Sequence, residues 1–226
     1  MEKHLKFTNA VLAMPLFFVL LLWFIFWIEI RFSLDFAQNG IYPRTFSGLQ
    51  GVFLSPFIHA DIEHLYNNSI PLLVLFSALQ FFYAEHSIKI IVYGILISGF
   101  FTWIIGRDNY HIGASGLIYV LFSFIFFKGI QTKYNRLVAL SLAVIVVYGG
   151  LVWYVFPSPE IIGNKSISWE GHLGGLLTGF FLSLVYKTPE YKKVIKYEWE
   201  HPDFDAASDK FMQRFDENGN FVNLPI

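Results

Sequence analysis

Few polar residues interrupt the apolar stretches of this chain, and they gather in three short groups. The first is His59-Ala60-Asp61-Ile62-Glu63-His64-Leu65-Tyr66-Asn67-Asn68, the second Gly113-Ala114-Ser115-Gly116, and the third Gly171-His172-Leu173-Gly174-Gly175, followed by Gly179. A serine hydroxyl is a poor nucleophile until a base takes its proton, and an imidazole near neutral at pH 7 suits that task. Ser115 and His172 are the pair this chemistry selects. An acyl-transfer intermediate develops an oxyanion that needs donors aimed at it. The Ser115 backbone N–H, at a helix start, is one candidate donor. His64 and Asn68, at i and i+4 on one helix face, supply two more. No acidic residue lies deep in an apolar run, so the expectation is a Ser–His dyad. Glu170, two residues before His172, is placed at the cavity mouth, with a third, orienting role as a minor alternative.

Taken singly, each group has a plain explanation. A Gly-x-Ser-Gly turn arises by chance, a lone histidine at a helix start commonly caps it, and Gly175 with Gly179 is a pair that lets helices pack closely. The soluble hydrolase elbow, Gly-x-Ser-x-Gly on a strand-to-helix turn, does not fit, because Leu117 stands at its last position and no strand precedes it. A metal site or transporter built on His59, Asp61, His64, His111 or His172 is a second class of reading. Asp61 and His64 have a ligand-compatible i, i+3 spacing, but no His-Glu-x-x-His motif supports them. Three or four converging ligands are not convincingly supplied, so neither metal nor cofactor is expected.

The elements that must position these residues are apolar helices. Of the 226 residues, 55% are hydrophobic, 19% aromatic and 15% charged, and the mean hydropathy is +0.50. An ordinary soluble domain carries about 25% charged residues. A water-soluble domain and a disordered chain are thereby excluded. A net charge of −1 excludes an electrostatic nucleic-acid binder. The absence of cysteine excludes disulfides and thiolate chemistry. Apolar runs at Ala10–Ile30, Ile62–Tyr83, Ile88–Gly106, Ala114–Gly129, Leu137–Phe156 and Gly171–Lys187 predict an all-α bundle of six transmembrane spans. The first run is too long for a cleaved signal peptide and lacks a small-residue cleavage site, so it is taken as an uncleaved span. Six spans put both termini on one side, with 12 of the 16 Lys and Arg residues, which predicts cytoplasmic termini. Residues 1–187 form the expected membrane domain and 188–226 a polar cytoplasmic tail. In that tail, Phe204, Ala207, Phe211 and Phe215 recur at helical spacing and predict a short amphipathic helix before Asn218-Gly219. Residues 31–61 form a long outer loop whose Leu49, Val52, Phe53, Leu54 and Phe57 predict packing.

With the amino terminus inside, spans two, four and six all start from the outer side, so the three polar groups share one side of the membrane. Ser115 lies 13 residues before Lys128 and His172 lies 15 before Lys187. A rise of about 1.5 Å per residue puts both roughly 10 Å below the outer surface of a core about 30 Å thick. Ser115 and His172 are then level, and within hydrogen-bond reach if the two helices touch. Gly175 and Gly179 permit that approach. The short fourth and sixth runs become the floor of a polar cavity, where irregular backbone such as Gly113-Ala114 is tolerated at depth.

In this combination the chain resembles the rhomboid family of intramembrane serine proteases. The motifs are Phe57-x-His59, His64-Leu65-x-x-Asn68, Gly113-x-Ser115-Gly116 and His172-x-x-Gly175-x-x-x-Gly179, in family order over about residues 40–186. The resemblance implies Ser115 as nucleophile, His172 as general base, and His64, Asn68 and the Ser115 backbone as the oxyanion hole. It implies that Tyr119 packs on the catalytic imidazole, that Gly113 permits the turn before the nucleophile, and that His59 supports the site, where the plain alternative is a cap on span two. It further implies transmembrane proteins as substrates, cut near the outer ends of their helices, often after a small residue. The partners are thus substrate helices and the lipid bilayer, with oligomeric state open, and the small form points to a bacterial plasma membrane. A rhomboid-like protein that binds membrane helices without cutting them is the alternative, although such proteins commonly lose the Ser or His. One departure stands out. Many members carry Trp-Arg in the first outer loop, where this chain has Gln50 and Gly51.

Overall fold

The computed structural model describes residues 7–148, 153–158, 167–187 and 197–222, apart from 202, 206 and 217. Among these residues are seven α-helices: α1 (Ala10–Arg31), α2 (Gly51–Leu54), α3 (Ile62–Phe82), α4 (Ser87–Ile105), α5 (Ser115–Thr132), α6 (Asn135–Tyr148) and α7 (Trp169–Val185). The only β pairings among them are two isolated bridges, Ile41 with His111 and Phe215 with Phe221. Two compact units divide the chain, Leu5–Pro189 and a smaller one of Met1–His4 with Glu190–Ile226.

Five of the apolar runs of the sequence correspond to α1, α3, α4, α5 and α7, whereas the run Leu137–Phe156 matches α6 only as far as Tyr148; residues 149–152 lie outside the described residues and Trp153–Val155 is a 3-10 turn. Three of the helices, α1, α3 and α4, are long and apolar enough to cross a membrane, and α5 and α6 are shorter apolar helices. Their inward faces form the core, with Leu22, Leu65, Leu72, Leu75, Leu121 and Phe124 fully buried. Their outward faces are apolar as well: Phe17 and Leu20 of α1 and Ile97 and Phe100 of α4 are exposed. Helices that are apolar on every side suit a hydrocarbon surround rather than water.

Local signals set the helix starts near the polar groups. Asp61, in extended backbone, caps α3 by accepting the His64 N–H at 2.7 Å. Ser168 caps α7 by accepting the Gly171 N–H at 3.2 Å. Gly113, at φ +107°, makes the reversal before α5, a conformation that glycine adopts without steric cost.

The long loop between α1 and α3 is folded against the bundle, as its apolar residues predict. Phe57 packs on Phe18 of α1 at 5.6 Å between ring centroids. The Trp103 indole donates to the Thr45 carbonyl at 2.8 Å, and Arg44 donates to the Gly106 carbonyl at 2.7 Å, which ties the loop to the end of α4. Phe53 is turned outward by α2 and exposed, with its ring 6.0 Å from that of Phe57. The backbone of Gly51 lies on that of Gly40 and Ile41, so a side chain there would collide.

The most extensive helix pairing is that of α5 with α7. A Cβ on Gly175 would strike the Gly116 carbonyl oxygen, and one on Gly179 the Val120 carbonyl oxygen. Two hydrogen bonds lock the pair, Ser123 Oγ to the Leu176 carbonyl at 2.6 Å and Gln131 Nε2 to Ser183 Oγ at 2.9 Å.

The tail differs from expectation. Among the described residues of 197–222 there is no α-helix, only turns and the 3-10 segments Glu198–Glu200 and Met212–Arg214. Aspartates compete with helix formation there. Asp205 accepts from the Ala207 N–H, Asp209 from the Phe211 N–H and Asp216 from the Asn218 N–H, each closing a local turn. Phe211, Phe215 and Phe221 cluster across the resulting hairpin rather than along a helix stripe. Bonds from the Asn220 side chain and backbone hold the Asp216 carboxyl below its ordinary value.

The glycine contacts carry a prediction. Gly179→Val forces α7 away from α5 and lowers stability by about 1–3 kcal/mol, read as a reduced unfolding midpoint of the detergent-solubilised protein.

Candidate active site

Helices α5 and α7 begin side by side, and their first turns bring the two sequence-selected residues together. Ser115 is the first residue of α5 and His172 lies in the first turn of α7. His172 Nε2 is 3.0 Å from Ser115 Oγ. The other ring nitrogen, Nδ1, is 3.0 Å from the Tyr154 carbonyl oxygen. A carbonyl only accepts, so Nδ1 carries the proton and Nε2 is left to accept from the serine hydroxyl. This tautomer is the one a general base requires. Tyr119 stacks on the imidazole, with centroids 4.4 Å apart and planes 22° apart, which holds the ring's orientation. His172 is buried and Ser115 is half-buried.

Helix α3 supplies the other polar groups. A Cβ on Gly113 would sit 2.6 Å from the His64 ring and 3.5 Å from Asn68 Nδ2, so both side chains converge on the turn before Ser115. Asn68 is buried, and its Nδ2 has no hydrogen-bond partner. An unpaired buried donor costs about 1–3 kcal/mol. Its location beside the turn before Ser115 suits an acceptor that arrives with a ligand.

His59 neither caps α3 nor joins that donor set. Asp61 is the cap, and His59 Nε2 instead accepts the Ala114 N–H at 3.3 Å. Burial, with His64 alongside, holds the His59 imidazole down at about 3, so the ring is neutral and free to accept. The Gly113 N–H donates to the Ser55 carbonyl at 2.8 Å. The two residues before Ser115 are therefore pinned from the outer loop.

Glu170 is not at the cavity mouth. It is fully buried and paired with Arg107, whose Nε donates at 2.6 Å. The position next to His172 Nδ1 belongs to the Tyr154 carbonyl, so Glu170 is not the orienting acid. Burial within the fold outweighs the sequence's suggestion of an exposed helix start, because the Arg107 guanidinium compensates the charge. Neither partner was legible in advance. A backbone carbonyl has no residue-type signature, and Arg107 showed only as a basic residue in an outer loop.

A cavity of about 30 Å³ lies beside Ser115, lined in part by Ser98, Thr102, His111, Gly113 and Ser168. It is polar and roomy enough for water. The metal-type side chains are engaged elsewhere: Asp61 caps α3, His172 faces Ser115, and His111 faces Ser168 at 2.6 Å. Among the described residues, no group of three or more His, Asp or Glu side chains is arranged to hold a metal ion.

Residues 47–188 match the rhomboid domain family. The chain belongs to the rhomboid family. It is thus a membrane protein, of a family that includes intramembrane proteases as well as inactive members. It is 33% identical over 161 residues to the uncharacterized protein Rv1337 of Mycobacterium tuberculosis, covering 68% of this chain and 66% of that protein. It is 31% identical over 169 residues to the uncharacterized protein ML1171 of Mycobacterium leprae, covering 72% and 65% respectively. The chain therefore spans just under two thirds of the length of these relatives. At Gly51, one of the two positions of the departure, the backbone crossing leaves no room for a side chain.

His59→Ala removes the acceptor for the buried Ala114 N–H and lowers stability by about 1–3 kcal/mol. His59→Gln, which retains an acceptor, recovers part of that loss. Unfolding midpoints of the two variants against the parent give the comparison.

Proposed function

We propose that this rhomboid protein is an intramembrane serine endopeptidase working through a Ser115–His172 dyad. The observation that carries the proposal is the 3.0 Å approach of His172 Nε2 to Ser115 Oγ in the tautomer a base needs. The Ser115 hydroxyl attacks the scissile carbonyl while its proton passes to His172 Nε2. The tetrahedral oxyanion takes donors from Asn68 Nδ2, the His64 ring and the Ser115 backbone N–H. As the tetrahedral species collapses, His172 returns the proton to the leaving amine. Water, activated by the same imidazole, then hydrolyses the acyl-serine. The unpartnered Asn68 donor supports the oxyanion assignment, since a transition-state oxygen gives it the partner it otherwise lacks.

The membrane arrangement belongs to the same proposal. Six spans, α1 and α3 to α7, place both termini in the cytoplasm, with residues 1–187 as the membrane domain and 188–226 as the tail. The dyad then lies below the outer surface and meets transmembrane substrates near the outer ends of their helices. The mycobacterial relatives favour a bacterial plasma membrane.

A fluorophosphonate probe labels the purified protein at Ser115. Ser115→Ala and His172→Ala each abolish both labelling and cleavage of a reporter transmembrane substrate. Asn68→Ala keeps the dyad and lowers kcat by about 100-fold, the scale of one lost oxyanion donor. Normal turnover by Ser115→Ala overturns the proposal, and client-helix binding without any labelling favours a non-cleaving rhomboid-like protein.

A further inference from the structure

A second polar cluster joins the loop between α4 and α5 to the start of α7. Arg107 gives the Glu170 carboxylate three donors: its backbone N–H at 3.1 Å and Nε at 2.6 Å to Oε1, and Nη2 at 3.3 Å to Oε2. The same Nη2 donates to the Ile167 carbonyl at 2.7 Å. Glu170 is fully buried, while the Arg107 side chain keeps about a quarter of its surface, 27%, exposed. His111 continues the cluster. Its Nε2 is 3.0 Å from the Arg107 carbonyl oxygen and its Nδ1 is 2.6 Å from Ser168 Oγ. The carbonyl can only accept, so Nε2 carries the proton and Ser168 Oγ donates to Nδ1. Ser168 Oγ in turn accepts the Gly171 N–H.

The bonds of Arg107 to Glu170 and Ile167 and of His111 to Ser168 all run between the same two segments. One segment ends at Ser115, four residues after His111, and the other carries His172, two residues after Glu170. The glycine contacts of α5 with α7 set how close the helices lie. The Ser123–Leu176 and Gln131–Ser183 bonds fix the register of the two helices from one turn below His172 onward, which leaves the first turn of α7, where His172 lies, to be fixed from elsewhere. The 3.0 Å bond of His172 to Ser115 tolerates little rotation or sliding of that turn, because a shift of about 1 Å takes it beyond bonding range. A forked guanidinium on a carboxylate is directional and fixes such freedoms.

We propose that Arg107 and Glu170 are positioning residues that clamp the first turn of α7 in the rotation and height that keep His172 Nε2 on Ser115 Oγ. This clamp rests on the Ser115–His172 reading and extends it. The bland alternative is a pair that serves stability alone, in which case any well-packed replacement serves equally.

The test uses the full chain in detergent micelles, with three measurements: the rate of fluorophosphonate labelling at Ser115, kcat and KM on a reporter transmembrane substrate, and the unfolding midpoint. Arg107→Met and Glu170→Gln slow labelling by about 10- to 100-fold, the scale expected for a misplacement near 1 Å. Their kcat falls by the same factor and KM stays unchanged. Arg107→Lys keeps the charge without the fork and is also slow. Arg107→Met combined with Glu170→Met leaves no unpaired buried charge, so its midpoint returns toward that of the parent while labelling stays slow. Recovery of labelling along with the midpoint in that double variant overturns the clamp. So does parental labelling by Glu170→Gln, which is isosteric and carries the test alone if the methionine variants do not fold. Absence of label on the unmodified protein overturns instead the dyad on which the clamp rests.

Discussion

The close approach of α5 and α7 is the constraint on which the rest of the molecule depends. Gly175 and Gly179 let the α7 backbone lie on the Gly116 and Val120 carbonyls of α5, so the two helix starts sit side by side. That contact, more than any feature of the individual side chains, makes a serine and a histidine 57 residues apart a hydrogen-bonded pair. In a hydrocarbon surround there is little hydrophobic drive between helices, and small residues that allow close packing take over that role. The interhelical bonds from Ser123 and Gln131 then hold the pair along its length.

Around this contact the fold solves a second problem, that of keeping irregular backbone and polar groups satisfied inside an apolar bundle. The turn before Ser115 has its Gly113 N–H on Ser55 and its Ala114 N–H on His59. The outer loop is therefore part of the site's support, reaching it through Ser55 and through the Ile41–His111 bridge. His172 is oriented by the Tyr154 carbonyl on one edge and by Tyr119 on its face, with no carboxylate needed. Asn68 Nδ2 is one of several buried side-chain atoms without a partner, with His59 Nδ1, Tyr119 Oη and Trp169 Nε1 among the others.

Much of this was legible because the chain is so apolar. Apolar runs of 16 to 22 residues can be read from composition alone, and the rare polar residues at their starts stand out against that background. Helix rise gave Ser115 and His172 the same depth, and the structure brings them together. Legibility failed where a local pattern had a competitor that composition hides. The Phe204, Ala207, Phe211 and Phe215 periodicity read as a helix, yet the intervening aspartates close turns on their own backbone. Glu170 read as a residue at the cavity mouth, and a partner 63 positions away in sequence draws it fully inside.

The sequence by itself determined the solvent, the helical class and the family, and it singled out the candidate site residues, because each is expressed in residue type and short-range spacing. Only the tertiary structure decided which partner each polar group takes. It put a backbone carbonyl rather than an acid on His172, made His59 a support for Ala114 rather than a cap, and paired Glu170 with Arg107. These choices depend on where segments far apart in sequence meet, and on the cost of leaving a buried charge or donor unmatched, which no local pattern encodes.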